Sequence, residues 1–370
     1  MAERGKGMTL FLVFALILTF CTILPYFFYR RVFPSLRSYP CLVLWIILSC
    51  SFLVTRSFPV TWPLSFVRAW TMVSGYWLIF SFYSFLIIIL WFLLVLFLRF
   101  FTRGDISRYR KNFILVMLMG VLIACVYGTN NAHNPRVIHE TIVSNKLSSP
   151  MTILYVSDLH LGRLLGKEYC EDLVERINKE HPDVVIIGGD IIDDQWDYVA
   201  ATGSYKPLGN LHSKYGTYAV LGNHDYFTPN TKLEITALEA LNVNILRNQA
   251  VHIGKIKLAG LDDYSHNKSD SSLKLLSKGN ANEFAIVVDH QPRRMEKAAA
   301  LGYDLYLSGH THEGQVFPNN LIVKYMYALS YGRGQFGNMV AYVTSGYGLW
   351  GVPMRLGSNP ELVVLELKAK

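Results

Sequence analysis

Five short stretches of this 370-residue chain hold the residue types from which metal sites are built: Asp158-Leu159-His160, Asp190 with Asp193 and Asp194 close behind, Asn223-His224-Asp225, His290, and His310-Thr311-His312. Carboxylate and amide oxygens suit hard cations, whereas imidazole suits zinc, iron and manganese-type ions. A set containing both fits a pair of cations. Asp190 follows a central apolar run, where a carboxylate shared by both ions would be needed. Two cations about 3.5–4 Å apart hold a water between them, lower its pKa and clamp the oxygens of an in-line displacement at phosphorus. Each stretch alone has a plainer reading: an Asp after a strand caps a helix or turns the chain, and a lone His290 is a hydrogen-bonded loop residue. Five together, each in step with a strand end, are not an arrangement that chance readily produces.

The elements that must position them are apolar runs. Residues 151–157, 183–189, 215–222, 284–289 and 304–309 read as strands, and each is followed at once by a member of the set. Residues 167–180 carry apolar positions at helical spacing, and 292–301 reads as a helix with Pro292 in its first turn. Runs at 340–346 and 361–368 add strands to a tail in which no helix is expected. Interleaved strands and helices predict an α/β fold, with the tail forming a second sheet packed on the first. In such folds functional groups gather on loops at the C-terminal ends of strands. Gly189, Gly222 and Gly309 each precede a candidate ligand, where a missing side chain admits a tight turn.

Taken in order, D-x-H (158–160), G-D-x-x-D (189–193), G-N-H-D (222–225), the lone His290 and G-H-x-H (309–312) resemble the calcineurin-like metallophosphoesterase superfamily. The stretches "SDLHLG", "DHQP" and "LSGHTH" are most similar to its membrane-associated bacterial subgroup. The resemblance covers about 150–370 and implies a two-sheet β-sandwich flanked by helices, with a dinuclear centre. By motif position, Asp158, His160 and His312 would hold one metal, and Asn223, His290 and His310 the other, with Asp190 bridging. The resemblance gives His224 a different task, stabilising phosphoryl oxygens or protonating the leaving group, with Asp225 orienting it. The metals implied are manganese, zinc or iron. One position departs: the subgroup reads G-H-T-H-G-G-Q, and here Glu313 replaces the first of those glycines. Its carboxylate is expected to turn to solvent, the other placements being beside the first metal's ligands or facing an anionic substrate.

The first third of the chain has another character. Residues 1–130 hold 12 Lys+Arg and 2 acids, a balance of +10, and no histidine; the remaining 23 Lys+Arg and 25 Asp+Glu balance to −2. The basic excess therefore does not lie on the α/β part, which argues against a nucleic-acid partner. Apolar runs at 8–29, 39–54, 70–98 and 113–128 predict about four transmembrane helices, the second and fourth near the short limit, since roughly 20 apolar residues cross a bilayer. A cleaved signal peptide fits the first run poorly, because further spans follow and no small-residue cleavage site is evident. The first and third loops hold eight Lys+Arg, against four in the N-terminus and second loop. By the positive-inside rule this places both ends of the chain, and the catalytic domain, outside the cytoplasm of a multi-pass protein of the cell (inner) membrane. The expected domains are a membrane domain at 1–130, a connector with an early strand at 131–150, and a phosphoesterase domain at 151–370. Aromatic residues of the third run, among them Trp77 and Trp91, are expected as interfacial anchors or packing residues. Cys170 is alone outside the apolar runs, so no disulfide is expected within the α/β part.

The function expected is hydrolysis of a phosphoester, a diester by preference and possible with a lipid-linked substrate, by a metal-bridging hydroxide. One alternative is a pyrophosphohydrolase of the UDP-diacylglucosamine type, which needs a cytoplasmic active site. Another, of a different class, is a metal-binding membrane scaffold or transporter without turnover. The near absence of charge inside the apolar runs argues against transport of polar solutes. Arg333, in a glycine-ended stretch after the last motif, is a phosphate-contact candidate, though a surface cation is the expectation there.

Overall fold

The computed structural model describes residues 20–55, 57–101, 106–193, 195–227, 230–277 and 282–370. They divide into two compact units: residues up to Tyr127 with Gly351–Pro353, and Gly128–Trp350 with Met354–Lys370.

The first unit is helical: long apolar runs form its helices, and the one at 20–32 tolerates Pro25 in its interior. Helices cover 20–32, Tyr39–Thr55, Leu64–Leu98 and Arg110–Ala132, the last turn of which belongs to the second unit. Pro40 sits in the first turn of its helix and Pro63 just ahead of the next, positions where a missing N–H costs nothing. Leu64–Leu98 (35 residues, mean hydropathy 2.7) and Ser107–Ala132 (26 residues, 2.1) are long and apolar enough to cross a membrane. Tyr39–Thr55, at 17 residues, rises only about 26 Å, less than a hydrocarbon core of about 30 Å. Most of the 8–29 run lies outside the described residues. Two of the four expected spans therefore meet the length. The aromatics pack as expected: Trp45 lies 4.8 Å from Trp77 and donates to the Thr22 carbonyl, and Trp91 meets Phe113 at 5.3 Å.

The second unit is built on two six-stranded mixed sheets. The first runs β1 (Arg136–Ser144), β12 (Glu361–Ala369), β2 (Met151–Val156), β3 (Val184–Ile187), β4 (Thr217–Ala219), β5 (Val243–Ile245). The second runs β10 (Gly332–Phe336), β11 (Met339–Val343), β9 (Leu305–Ser308), β8 (Phe284–Val288), β7 (Ile256–Gly260), β6 (Gln249–Ile253). Strands β2 to β5 are parallel, as are β7, β8, β9 and β11. The alternation of side chains along a strand decides the layers. In β2, Ile153 and Tyr155 face a core shared with Ile286, Val288, Leu305 and Leu307 of the second sheet. Leu154 and Val156 face outward, onto Cys170, Leu173, Val174 and Ile177 of the helix Lys167–Lys179. The far face of the second sheet carries Leu273, Met295 and Ala298 from helices Ser271–Ser277 and Met295–Ala300.

Three expectations change. The helix after Pro292 begins only at Met295, because Arg294 is held in the preceding turn by the buried Asp289. A helix, Asn319–Met326, stands in the tail where none was expected. The tail does not form the second sheet by itself: β12 lies inside the first sheet, and β6 to β9 make up most of the second. The connector holds the early strand expected there, β1, paired with β12 along nine residues.

Candidate metal centre

The five stretches meet on one rim because β2, β3, β4, β8 and β9 are parallel within their sheets and all end there. Asp158, Asp190, Asn223, His290 and His310 follow those ends within a few residues. Asp158, His160, Asp190, His310 and His312 all have φ between 47° and 69°, a left-handed backbone that non-glycine residues adopt at a cost. Five such residues among seven ligand candidates mark a rim whose backbone is held by its surroundings. Glycine is required beside it. A Cβ on Gly222 would stand 2.1 Å from Asp190 Oδ1, and one on Gly309 would stand 2.3 Å from Asp158 Oδ2.

Three overlapping groups of donor atoms result, each within 4.8 Å: Asp158, His160 and His312; Asp190, His290 and His310; and His160, Asp190 and His224. In the first, His312 Nε2 lies 3.0 Å from His160 Nε2 and 3.5 Å from Asp158 Oδ1. In the second, His290 Nε2 lies 3.1 Å from Asp190 Oδ2. The first two groups draw donors from both sheets. Asn223 follows β4 on the same rim.

Backbone contacts aim these side chains. The His310 N–H donates to both Asp158 oxygens at 3.0 and 3.1 Å, and the His224 N–H donates to Asp190 Oδ1 at 2.8 Å. His290 Nδ1 is 2.8 Å from the Gly188 carbonyl, which assigns the ring proton to Nδ1 and leaves Nε2 facing inward. Behind His312 lies Arg355, fully buried, donating to the carbonyls of Ser345, Gly346 and Gly348 and standing 3.3 Å from His312 Nδ1.

The electrostatics favour cation binding. Burial alone would raise the Asp190 carboxyl, but the charges of His290 and His224 outweigh it and hold it well below its usual range. Burial would lower His290, yet the Asp190 carboxylate raises it well above an ordinary imidazole. His310 is pushed down to about 4 by burial and by His290, and burial, His160 and Arg355 hold His312 well below an ordinary imidazole. One candidate donor atom, Asn223 Oδ1, is buried with no hydrogen-bond partner, while His290 Nε2 has only the Asp190 carboxylate at 3.1 Å beside it. An orphaned amide oxygen on a rim of carboxylate and imidazole donors is what a cation site leaves when only the protein is considered. The residues fit the group that the motifs implied.

His224 takes a different partner from the one expected. Its Nδ1 hydrogen-bonds to the backbone carbonyl of Asp193. Asp225 cannot orient the ring, because its two oxygens accept from the N–H groups of Ile192 (2.9 Å) and Gly222 (2.7 Å). Burial and then Asp190 push Asp225 up to about 7, and buried Glu234 is raised well above its ordinary range by burial and by the charge of Asp225. By accepting from the Ile192 and Gly222 N–H groups, Asp225 braces the loop that carries His224. Glu313 is not turned fully to solvent either. It is half-buried, and burial together with Glu361 pushes its carboxyl up to about 7. Arg333 lies on β10 and bonds Glu140 and the Thr141 carbonyl, as a surface cation. Sequence reasoning missed Arg355, which no motif marks, and the Asp193 carbonyl, which has no side-chain signature.

Residues 151–314 match the family model of the calcineurin-like phosphoesterases. An uncharacterised metallophosphoesterase of Helicobacter pylori is 34% identical over 276 residues, 72% of this chain and 73% of that protein. One of Aquifex aeolicus is 30% identical over 268 residues, 69% of this chain and 99% of its own length. A Bos taurus protein named as a transmembrane protein with a metallophosphoesterase domain is 32% identical over 292 residues, 72% of this chain and 65% of its own. The geometry of the rim and these likenesses agree, and the chain belongs to the calcineurin-like metallophosphoesterases, a family of metal-dependent phosphoesterases.

Proposed function

We propose that this chain is a membrane-anchored two-metal phosphohydrolase, acting on phosphodiesters and on lipid-linked ones in particular. The observation that carries the two-metal reading is the pair of overlapping donor groups at the rim, with Asn223 Oδ1 buried there without a partner. Asp158, His160 and His312 would hold one cation, Asn223, His290 and His310 the other, and Asp190 both. A cation pair supplies Lewis acidity toward phosphoryl oxygens and toward water. The chain's own part is to hold the donors still and to manage the proton of the leaving group. With its Nδ1–H bonded to the Asp193 carbonyl and its pKa lowered by burial, His224 presents Nε2 to take a proton from the attacking water and pass it to a phosphoryl oxygen or a departing alkoxide. The two long apolar helices and the transmembrane name of the bovine relative support an anchor, with 1–130 as membrane domain and 151–370 as phosphoesterase domain. An anchored enzyme meets lipid phosphoesters at the surface, and the Lys/Arg bias puts that surface outside the cytoplasm.

The test is hydrolysis of bis-p-nitrophenyl phosphate with added manganese. Turnover is expected in the wild type and absent in Asp190→Asn. No turnover with any divalent metal sinks the proposal. Protease access in spheroplasts reads the topology, and complete protection of the C-terminal unit reverses the orientation.

A further inference from the structure

Two exposed aromatic rings flank His224. The Phe227 ring lies 4.7 Å from the imidazole and the Trp350 ring 5.9 Å from it, nearly edge-on at 77°. Both are large apolar side chains left in the open, Phe227 at 59% and Trp350 at 46% exposure. Neither is loosely placed. The Trp350 N–H donates to Gln315 Oε1 at 2.9 Å and its carbonyl accepts from Gln315 Nε2 at 3.0 Å, while Gln315 follows the last metal motif directly. The loop ahead of Trp350 is fastened to the end of β2: Tyr347 N–H donates to the Ser157 carbonyl and Gly348 N–H to the Asp158 carbonyl. Phe227 closes the short turn His224–Tyr226, its N–H donating to the His224 carbonyl at 3.0 Å. The indole is thus registered to Asp158 and the phenyl ring to His224, with their apolar faces open beside the group that handles the leaving oxygen.

Rigid apolar surface beside a polar reacting centre acts as a specificity element, because it rewards only ligands that bring apolar area to that spot. We propose that Phe227 and Trp350 select a substrate whose leaving group carries an apolar arm, an acyl or alkyl chain next to the alkoxide oxygen. This rests on the reading of His224 as proton donor and goes beyond it by naming what departs. In the reaction, water forms a new P–O bond and the P–O bond to the apolar alcohol breaks. The proton released by water passes to His224 Nε2, which gives it to that alkoxide. The alcohol product leaves along the two rings.

The experiment measures binding of methyl-, propyl- and hexylphosphonate to the manganese-loaded full-length protein by calorimetry, with bis-p-nitrophenyl phosphate turnover recorded separately. A fully buried methylene contributes about fourfold in affinity. Partial burial along two rings is therefore expected to give at least about tenfold tighter binding of the hexyl than the methyl compound. The double variant Phe227→Ala/Trp350→Ala is expected to reduce that ratio to within about threefold, and Phe227→Leu/Trp350→Phe to recover most of it. A ratio near one in the wild type, or an undiminished ratio in the alanine variant, overturns the proposal. Because the ratio is read by binding, it stands or falls whether or not bis-p-nitrophenyl phosphate turns over, and failure of turnover is charged to the hydrolase reading instead.

Discussion

Removing the His224 imidazole separates its two possible tasks, because the backbone anchor survives the change. The His224 N–H that holds Asp190 Oδ1 at 2.8 Å is main chain and stays in His224→Ala. What disappears is a ring whose Nδ1 is bonded to the Asp193 carbonyl and whose Nε2 is free. If Nε2 donates to the leaving oxygen, the loss depends on how much that oxygen needs a proton. General acid catalysis contributes about 10²–10⁴-fold, so kcat/KM for an alkyl phosphodiester should fall by that amount. With p-nitrophenolate, stable as an anion, the fall should stay below about tenfold. The Asp193 carbonyl loses a partner, but Asp193 is only partly buried and water can replace the ring, so stability should fall by about 1 kcal/mol. The assay pairs these rates with metal content by mass spectrometry, where no change is expected. His224 also falls within 4.8 Å of His160 and Asp190 as a possible ligand. Equal losses on both substrates, together with one metal fewer, would refute the proton-donor role and make His224 a ligand.

Other perturbations follow from the same geometry. Gly222→Ala places a Cβ 2.1 Å from Asp190 Oδ1, so the carboxylate must shift, and calorimetry should show metal affinity down about 10–100-fold with the fold retained. His290 is raised well above its ordinary pKa by Asp190, so without metal it is protonated at neutral pH, and binding must expel that proton. Affinity should therefore rise with pH, by about tenfold per unit below the raised pKa, and titrations in buffers of different ionisation enthalpy should report about one proton released. Arg355→Met leaves the carbonyls of Ser345, Gly346 and Gly348 without their shared donor inside the protein. At about 1 kcal/mol each, thermal unfolding should show a loss of about 3 kcal/mol.

The parts of this architecture that could be read from sequence share a physical cause. Parallel strands buried on both faces are continuous apolar runs, as in "MTILYVS" and "DVVIIGG", and a polar ligand type at the end of each stands out against them. Helix Lys167–Lys179 was legible because its buried residues 170, 173, 174 and 177 keep one face. The rest was hidden for equally specific reasons. Strand β10 is "GRGQF", an edge strand of glycines and polar residues with no alternating pattern, and β5 has three residues. The helix Asn319–Met326 has no buried residue, so it left no apolar face pointing to a core. At the rim, motif order located the ligand candidates, but the partner of His224 is a backbone carbonyl and those of Asp225 are the backbone N–H groups of Ile192 and Gly222. Glu313 was misplaced because solvent is the default for a carboxylate, whereas here a left-handed backbone at φ 50° turns it partly inward.

Strand β12 lies between β1 and β2, although every other strand precedes it in the chain. During synthesis, then, the first sheet has a gap one strand in from its edge: β1 has emerged with no neighbour, and β2 shows an open edge, until residues 361–369 arrive. Part of the rim, after β2, β3 and β4, is carried by that sheet, so a nascent chain carrying every metal-ligand candidate is still without the strand that joins β1 to β2. Closure resembles the fastening of a zip from its last tooth. A ribosome stalled with residue 355 just exposed should hold a protease-sensitive, metal-poor chain, and release of the final strand should convert it in one cooperative step.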